Sequence, residues 1–229
     1  MLIIIDKKIP DQTKASLRKY GDLLEMETNG IVYDAISGHP DVFFCQAGDV
    51  LLADPKRGYA EIKKYDKWEK GRIISGHQPL GDRYPETARY NAVVTENCLI
   101  HNLEITDRSI LMFCSQKEHI HVEQGYTRCN LLALKNDHFI TSDKGIEKTL
   151  TQKNKKVLFV DPKGIELPGY PHGFFGGACG IWNNKVFVIG ELGFMDHSYK
   201  IREFINHLNY EIIELYKGPP FDGGGILFV

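Results

Sequence analysis

Apolar positions in this chain come in pairs of short runs, each pair split by a tight polar turn. Residues 38–45 lead into one run, 46–49 make the turn, and 50–53 are apolar again; the pattern returns at 89–94, 95–97 and 98–101. It returns twice more, at 125–134, 135–137 and 138–141, and at 172–181, 182–184 and 185–189. Runs of this length bounded by Asn, Asp and Gly predict β-hairpins, because those residues accept the positive φ of a tight turn. After each hairpin the period changes to that of a helix, and a further strand follows. Residues 196–209 place Tyr199, Phe204, Ile205 and Leu208 on one helical face, with Asp196 as the N-cap, ahead of a strand at 210–216. A helix at 145–153 and a strand at 157–160 repeat the arrangement.

The last block, 221–229, begins a hairpin that the chain does not finish. The N-terminal segment has the missing parts: a strand at 2–5, a helix at 11–20 and a strand at 22–26. Ile3-Ile4-Ile5-Asp6 before a helix mirrors Phe139-Ile140-Thr141-Ser142-Asp143 before another. Taking His39, Tyr90, Cys129, Phe175 and Asp222 as markers, the steps are 51, 39, 46 and 47 residues, and the wrap through the termini is 46. A fixed period of this size is the mark of a repeat architecture. The expected fold is α/β: a single domain over 1–229, built as a five-bladed pseudo-symmetric ββαβ propeller closed by pairing of the N- and C-terminal strands. Closure protects strand edges that would otherwise be open.

Composition narrows the class without deciding the function. With 28 basic and 30 acidic residues interspersed, the net charge is −2 and no basic stripe invites nucleic acid. No apolar run is long enough to span a bilayer, and residues 1–6 lack the basic region and cleavage site of a signal peptide. Cys45, Cys98, Cys114, Cys129 and Cys179 are odd in number, widely spaced and without a Cys-x-x-Cys pair. That spacing argues against a zinc ribbon and a disulfide framework, and for a reduced, cytoplasmic chain. Cys45, Cys98 and Cys114 sit in apolar runs and read as packing residues. His119 and His121 share a strand face but have no further ligands at a recognised spacing, so they read as a solvated strand.

Three segments carry candidate chemistry. Phe221-Asp222-Gly223-Gly224 is a carboxylate before a glycine turn, His39-Pro40-Asp41 pairs an imidazole with an acid two residues on, and Gly125-Tyr126-Thr127-Arg128-Cys129 delivers a thiol at the start of a hairpin. If His39-x-Asp41 is extended, both side chains point to one strand face. Asn91 and His172 hold comparable places in their own blocks and are candidates to line a central pocket and contact substrate. Gly176-Gly177-Ala178-Cys179 offers a rival thiol. Each residue also admits a purely structural role: His39 and Asp41 in a turn, Cys129 in the core, Asp222 at the head of a glycine turn.

The five-block period and these segments resemble the pentein fold of guanidino-group-modifying enzymes, among them arginine deiminases, dimethylarginine dimethylaminohydrolases and amidinotransferases. Gly-His-Pro-Asp, Gln-Gly-Tyr-x-x-Cys, Pro-Gly-Tyr and Gly-Phe-x-Gly-Gly also resemble a group of uncharacterised bacterial proteins placed near that fold. The resemblance to penteins implies that Asp222 clamps a guanidinium, His39 with Asp41 moves protons, and Cys129 attacks carbon. Carboxylate, His and Cys follow in the family's cyclic order, cut open at a different point. Gly225 stands where the family usually has a further polar or acidic residue, and one glycine precedes Cys129 where several are usual. The implied activity is Cys-dependent hydrolysis or transfer at a guanidino or amidine carbon of a small molecule, without a metal or an organic cofactor. The alternative is a non-catalytic binder, as some pentein rings are, the ribosomal anti-association factor of archaea and eukaryotes included.

Overall fold

The computed structural model describes residues 1–28, 32–64 and 73–229. Fifteen strands form five separate three-stranded sheets among these residues. The first two units are β3 (Phe44–Ala47), β4 (Val50–Ala53) and β5 (Ile73–Ser75), then β6 (Val93–Val94), β7 (Cys98–His101) and β8 (Glu118–His121). Next come β9 (Leu131–Leu134), β10 (His138–Thr141) and β11 (Lys156–Phe159), then β12 (Cys179–Trp182), β13 (Lys185–Val188) and β14 (Glu211–Glu214). In each, two strands form an antiparallel hairpin and a helix carries the chain back to a third strand parallel to the second.

The fifth sheet joins the two ends of the chain. Strand β15 (Leu227–Phe228) pairs antiparallel with β1 (Leu2–Asp6), in register Ile3 to Phe228 and Ile4 to Leu227, and β1 pairs parallel with β2 (Asp22–Met26). Leu2 and Val229 exchange two backbone hydrogen bonds of 2.8 and 2.9 Å. The unit is therefore built like the other four, with its hairpin loop cut.

The turns form for the reason expected. Asn136 and Asp137 both take positive φ between β9 and β10, Asn183 does so between β12 and β13, and Gly48 between β3 and β4. The five hydrophobic clusters explain why the middle strands are apolar throughout. In β1, Leu2 and Ile4 pack into a cluster shared with β3 and β4, whereas Ile3 and Ile5 pack into one shared with β13. The two-residue period of β10 divides Phe139 and Ile140 in the same way, and Val186 and Phe187 of β13 fall in different clusters. A strand buried on both faces loses its polar alternation.

Among the described residues seven helices cover these clusters: α1 (Asp11–Leu17), α2 (Pro40–Phe43), α3 (Gly58–Lys63), α4 (Arg108–Phe113), α5 (Thr127–Asn130), α6 (Lys144–Gln152) and α7 (Ser198–His207). Asp143 caps α6, its carboxylate accepting from Ile146 N at 2.9 Å, and Asp107 caps α4 by accepting from Ser109 N.

The structure corrects three expectations. Helix α7 starts after His197, in the left-handed region at φ 56, so Asp196 is not its cap. The buried face of α7 is Ile201 and Ile205, and Tyr199 is exposed. His39-x-Asp41 is not extended: His39 precedes α2, Pro40 takes the first helical position that proline favours, and Asp41 lies in the turn of helix. The strand begins only at Phe44. The two side chains thus meet across a helical turn, not along a strand.

Candidate active site

A short turn precedes the first strand of each unit, and these turns converge. Helix α2 brings Asp41, the loop before β6 brings Asn91, α5 brings Arg128 and Cys129, a 3-10 turn at Gly176–Ala178 precedes β12, and residues 222–225 precede β15. Backbone bonds tie neighbours together: Asp41 N to Gly224 O at 3.2 Å, Arg128 N to Asn91 O at 3.0 Å and Gly225 N to Gly177 O at 2.7 Å. Two glycines make this approach possible. A Cβ on Gly177 would lie 1.9 Å from Asp222 Oδ1, and one on Gly224, at φ +68, would lie 2.3 Å from His39 Cβ.

The polar core of the cluster is Cys129, Asp41, His39 and Asp222, none more than 4% exposed. The Cys129 thiol donates to Asp41 Oδ2 at 2.9 Å. Asn91 holds this pair with its whole amide: Nδ2 donates to the Asp41 carbonyl at 3.0 Å and to Cys129 Sγ at 3.4 Å, and Oδ1 accepts from Arg128 N at 2.7 Å and Cys129 N at 3.2 Å. His39 lies between two carboxylates, with Nδ1 3.9 Å from Asp222 Oδ1 and Nε2 3.8 Å from Asp6 Oδ2. Asp222 is fixed by Phe174 N at 2.9 Å and Gly224 N at 3.1 Å. The Arg128 guanidinium turns to the carbonyls of Gly176 and Cys179, at 2.6 and 3.1 Å. Beside it lies a cavity of about 430 Å³ lined by residues of the five first strands, among them Phe44, Val93, Leu131, Ile181 and Leu227.

Burial sets the charge state. It pushes the Asp41 carboxyl up to about 7, against the opposing pull of Arg128 and of the Cys129 bond. It pushes Asp222 and Asp6 up to about 6 and drives His39 down to about 3, helped in the last case by Lys8. The Cys129 thiol is raised well above its ordinary range, first by burial and then by the charges of Asp41 and Asp222. The resting cluster is thus a thiol and a neutral imidazole among carboxyls that hold protons unusually tightly. A cation placed among them favours their ionised forms.

The structure therefore brings together Cys129, His39, Asp41 and Asp222, with Asn91 beside them. It does not bring in His172, which is half-buried, donates from Nδ1 to the Gly173 carbonyl at 3.0 Å and meets Phe174 edge-on. Asn91 has every polar atom engaged within the protein, which is the work of a scaffold. Cys179 packs in the apolar cluster between β9 and β12, and its thiol is pushed up to about 12 by burial. His119 bonds the Cys114 carbonyl at 2.9 Å and His121 accepts from Leu103 N at 3.2 Å. Asp6 escapes a reading of the sequence, since an acid at the end of an apolar strand looks like the strand's exit to solvent. It is 1% exposed.

A family model described as a family of unknown function, DUF6873, matches residues 4–227. The chain belongs to this family. No curated protein matches it in sequence. Solved structures share the family's architecture. Dimethylarginine dimethylaminohydrolase from Pseudomonas aeruginosa, complexed with citrulline, superposes with a TM-score of 0.56 at 12% identity, over 93% of this chain and 91% of that one. An amidinotransferase of the saxitoxin pathway from Microseira wollei gives 0.52 at 9% identity, over 93% and 87%. Agmatine deiminase from C. jejuni gives 0.52 at 12% identity, over 93% and 74%. The fold is that of the guanidino-modifying penteins.

Proposed function

We propose that the five units close into a single ring and that the chain is a Cys-dependent hydrolase or transferase acting on a guanidino or amidine carbon of a small molecule. Ring closure is supported by the paired termini and by clusters that each bridge two successive units. One observation carries the chemistry. Donor atoms of His39, Asp41 and Cys129, from two turns 88 residues apart, lie within 4.8 Å of one another. Asp222, from the far end of the chain, stands beside His39. The similarity to structures of enzymes of guanidino chemistry agrees with that arrangement.

In this reading a guanidinium lies against Asp222 and Asp41, whose carboxylates complement its planar N–H fork. Its charge favours loss of the Cys129 proton. The sulfur forms a bond to the guanidino carbon, the C–N bond to the leaving amine breaks, and His39 conveys the proton that the amine takes. Water, or an acceptor amine in a transferase, then attacks the same carbon and the S–C bond breaks, returning the thiol. The chain works in the cytoplasm, where five buried free cysteines stay reduced. No helix among the described residues is long and apolar enough to cross a membrane.

The test is alkylation by 2-chloroacetamidine, an amidinium that enters as substrate would and traps sulfur by displacement of chloride. Cys129 alone of the five cysteines is labelled, and excess agmatine or citrulline slows it. Equal labelling of several cysteines, or none, refutes the nucleophile. A second reading has one observation in its favour: the cluster is sealed from solvent, as the core of a non-catalytic binding scaffold would be. In that case Cys129 stays unlabelled in the folded protein.

A further inference from the structure

The same cluster has a capacity that a guanidino reaction does not call on. His39, Asp41 and Cys129 supply one nitrogen, one oxygen and one sulfur, all three residues are buried, and their donor atoms are mutually within 4.8 Å. Two polar atoms here have no hydrogen-bond partner: His39 Nδ1 and Asp41 Oδ1. A buried, unpaired acceptor is costly, and such atoms in a folded protein call for an explanation. Among the described residues no other His, Cys and carboxylate group converges in this way.

We infer that His39, Asp41 and Cys129 form a binding site for a thiophilic divalent cation, with Zn2+ the best match. Thiolate, imidazole and carboxylate are the donors zinc takes, and a mixed set of three with one open position is the pattern of its non-structural sites. Bonds of about 2.3 Å to sulfur and 2.0–2.2 Å to nitrogen and oxygen set tetrahedral donors roughly 3.3–3.7 Å apart. The widest spacing here must contract by about 1 Å, within the reach of side-chain torsions. Asn91 places Cys129 Sγ and the Asp41 backbone from the second layer, the role that outer partners fill at metal centres. Loading is balanced without redox chemistry: the S–H bond of Cys129 breaks, its proton leaves to solvent, and a sulfur–metal bond forms. While the ion is bound, one sulfur lone pair is held by the metal and the ion's charge weakens the others as nucleophiles, so the ion slows attack of the thiol on carbon. The inference goes beyond the guanidino reading and requires no such substrate.

The experiment uses the full chain, reduced and freed of metal by a chelator that is then removed, titrated with Co2+. A thiolate-to-cobalt charge-transfer band grows in the near ultraviolet and saturates at one equivalent, and Zn2+ abolishes it. Cys129→Ser removes the band, whereas Cys179→Ser leaves it. Asp41→Asn weakens Co2+ binding by at least about tenfold, which decides the matter if Cys129→Ser does not fold. The inference is overturned if no thiolate band appears, if the band survives Cys129→Ser, or if Asp41→Asn binds Co2+ as tightly as the wild type. Alkylation of the metal-free protein by 2-chloroacetamidine reads the nucleophile separately, so the two ideas fail independently.

Discussion

Replacing Asp41 by Asn should make the protein more stable at pH 8 and less stable at pH 4.5. Burial raises the Asp41 carboxyl from 3.8 to about 7. Holding that carboxylate ionised in the folded state therefore costs roughly 4 kcal/mol once the pH exceeds both values. The sign follows from proton linkage. The folded state keeps this proton more firmly than the unfolded chain, so the group's contribution is complete below pH 3.8, is lost as pH rises to about 7, and is level beyond. Asn has no charge to bury and removes the slope. It also has a cost, because its amide nitrogen would occupy one of the carboxylate positions, and an unmatched buried N–H is worth about 1–3 kcal/mol. The Cys129 thiol keeps an acceptor in the side-chain oxygen. By pH 4.5 the wild type has already lost about 1 kcal/mol of this contribution, so the net expectation is a gain of about 1–3 kcal/mol at pH 8 and a smaller loss of up to about 2 kcal/mol at pH 4.5, with the two stability curves crossing between. Urea unfolding followed by circular dichroism at half-unit pH steps measures both curves. Parallel curves, or a variant weaker than wild type at every pH, would refute the reasoning.

Three further outcomes follow. Asn91→Ala leaves Cys129 N and the Asp41 carbonyl without their side-chain partner, which should cost about 2–3 kcal/mol in urea unfolding and reduce chloroacetamidine labelling of Cys129. Gly224→Ala forces a Cβ to 2.3 Å from that of His39 at φ +68, so a loss of more than about 2 kcal/mol is expected by thermal unfolding, whereas Gly48→Ala, with open space at its Cβ, loses only the backbone term. For Asp107, burial pulls the carboxyl upward but the N–H groups of His77, Gln78 and Ser109 prevail and hold it below 3.8. Its contribution is then present above pH 3.8 and lost below it, so Asp107→Asn should cost about 1–2 kcal/mol at pH 7 and progressively less as the pH falls toward 3, read from the same unfolding series.

The hairpins were legible because both of their signals are local. Asn136-Asp137 and Asn183 carry the turn, and strands such as Leu2–Asp6 and Val50–Ala53 carry runs that only burial on two faces explains. The same strands let the unfinished block at 221–229 be assigned to the N-terminal segment. Single helical turns were not legible. Pro40–Phe43 and Thr127–Asn130 are too short to show a 3.6-residue period and are buried almost all round, so they pass for the start of a strand. That misreading still singled out residues that converge in the structure, His172 excepted, but it gave His39 and Asp41 the wrong geometry, side by side on a pleat. Cys129, Asp41 and Asp222 could be singled out from chemistry and cyclic order. Asp6 could not, since its meeting with His39 depends on how β1 seats against α2, and nothing within a few residues of either encodes that. The surplus aromatic at Tyr199 misled for the opposite reason: α7 satisfies its core with Ile201 and Ile205, and a period of 3.6 cannot say which of two apolar stripes faces inward.

Stability alone does not explain why a chain would keep this cluster. Three carboxyls, an imidazole and a thiol lie out of reach of water where apolar side chains of similar volume would pack at less cost. Elsewhere the protein follows the rules closely: middle strands divide their side chains between clusters, hairpin turns use Asn and Gly, and two helices have carboxylate caps. Departures from otherwise consistent design concentrate where function is purchased with stability. The departure here has a definite sign. Every ionisable group of the cluster is displaced toward its neutral form, and the deficit is positive charge: Arg128, the cation of the same turn, spends two of its N–H groups on the Gly176 and Cys179 carbonyls. A guanidinium and a divalent metal ion each supply what is missing. That common demand for a cation, more than the identity of any one residue, is what the buried acids of this fold have to account for.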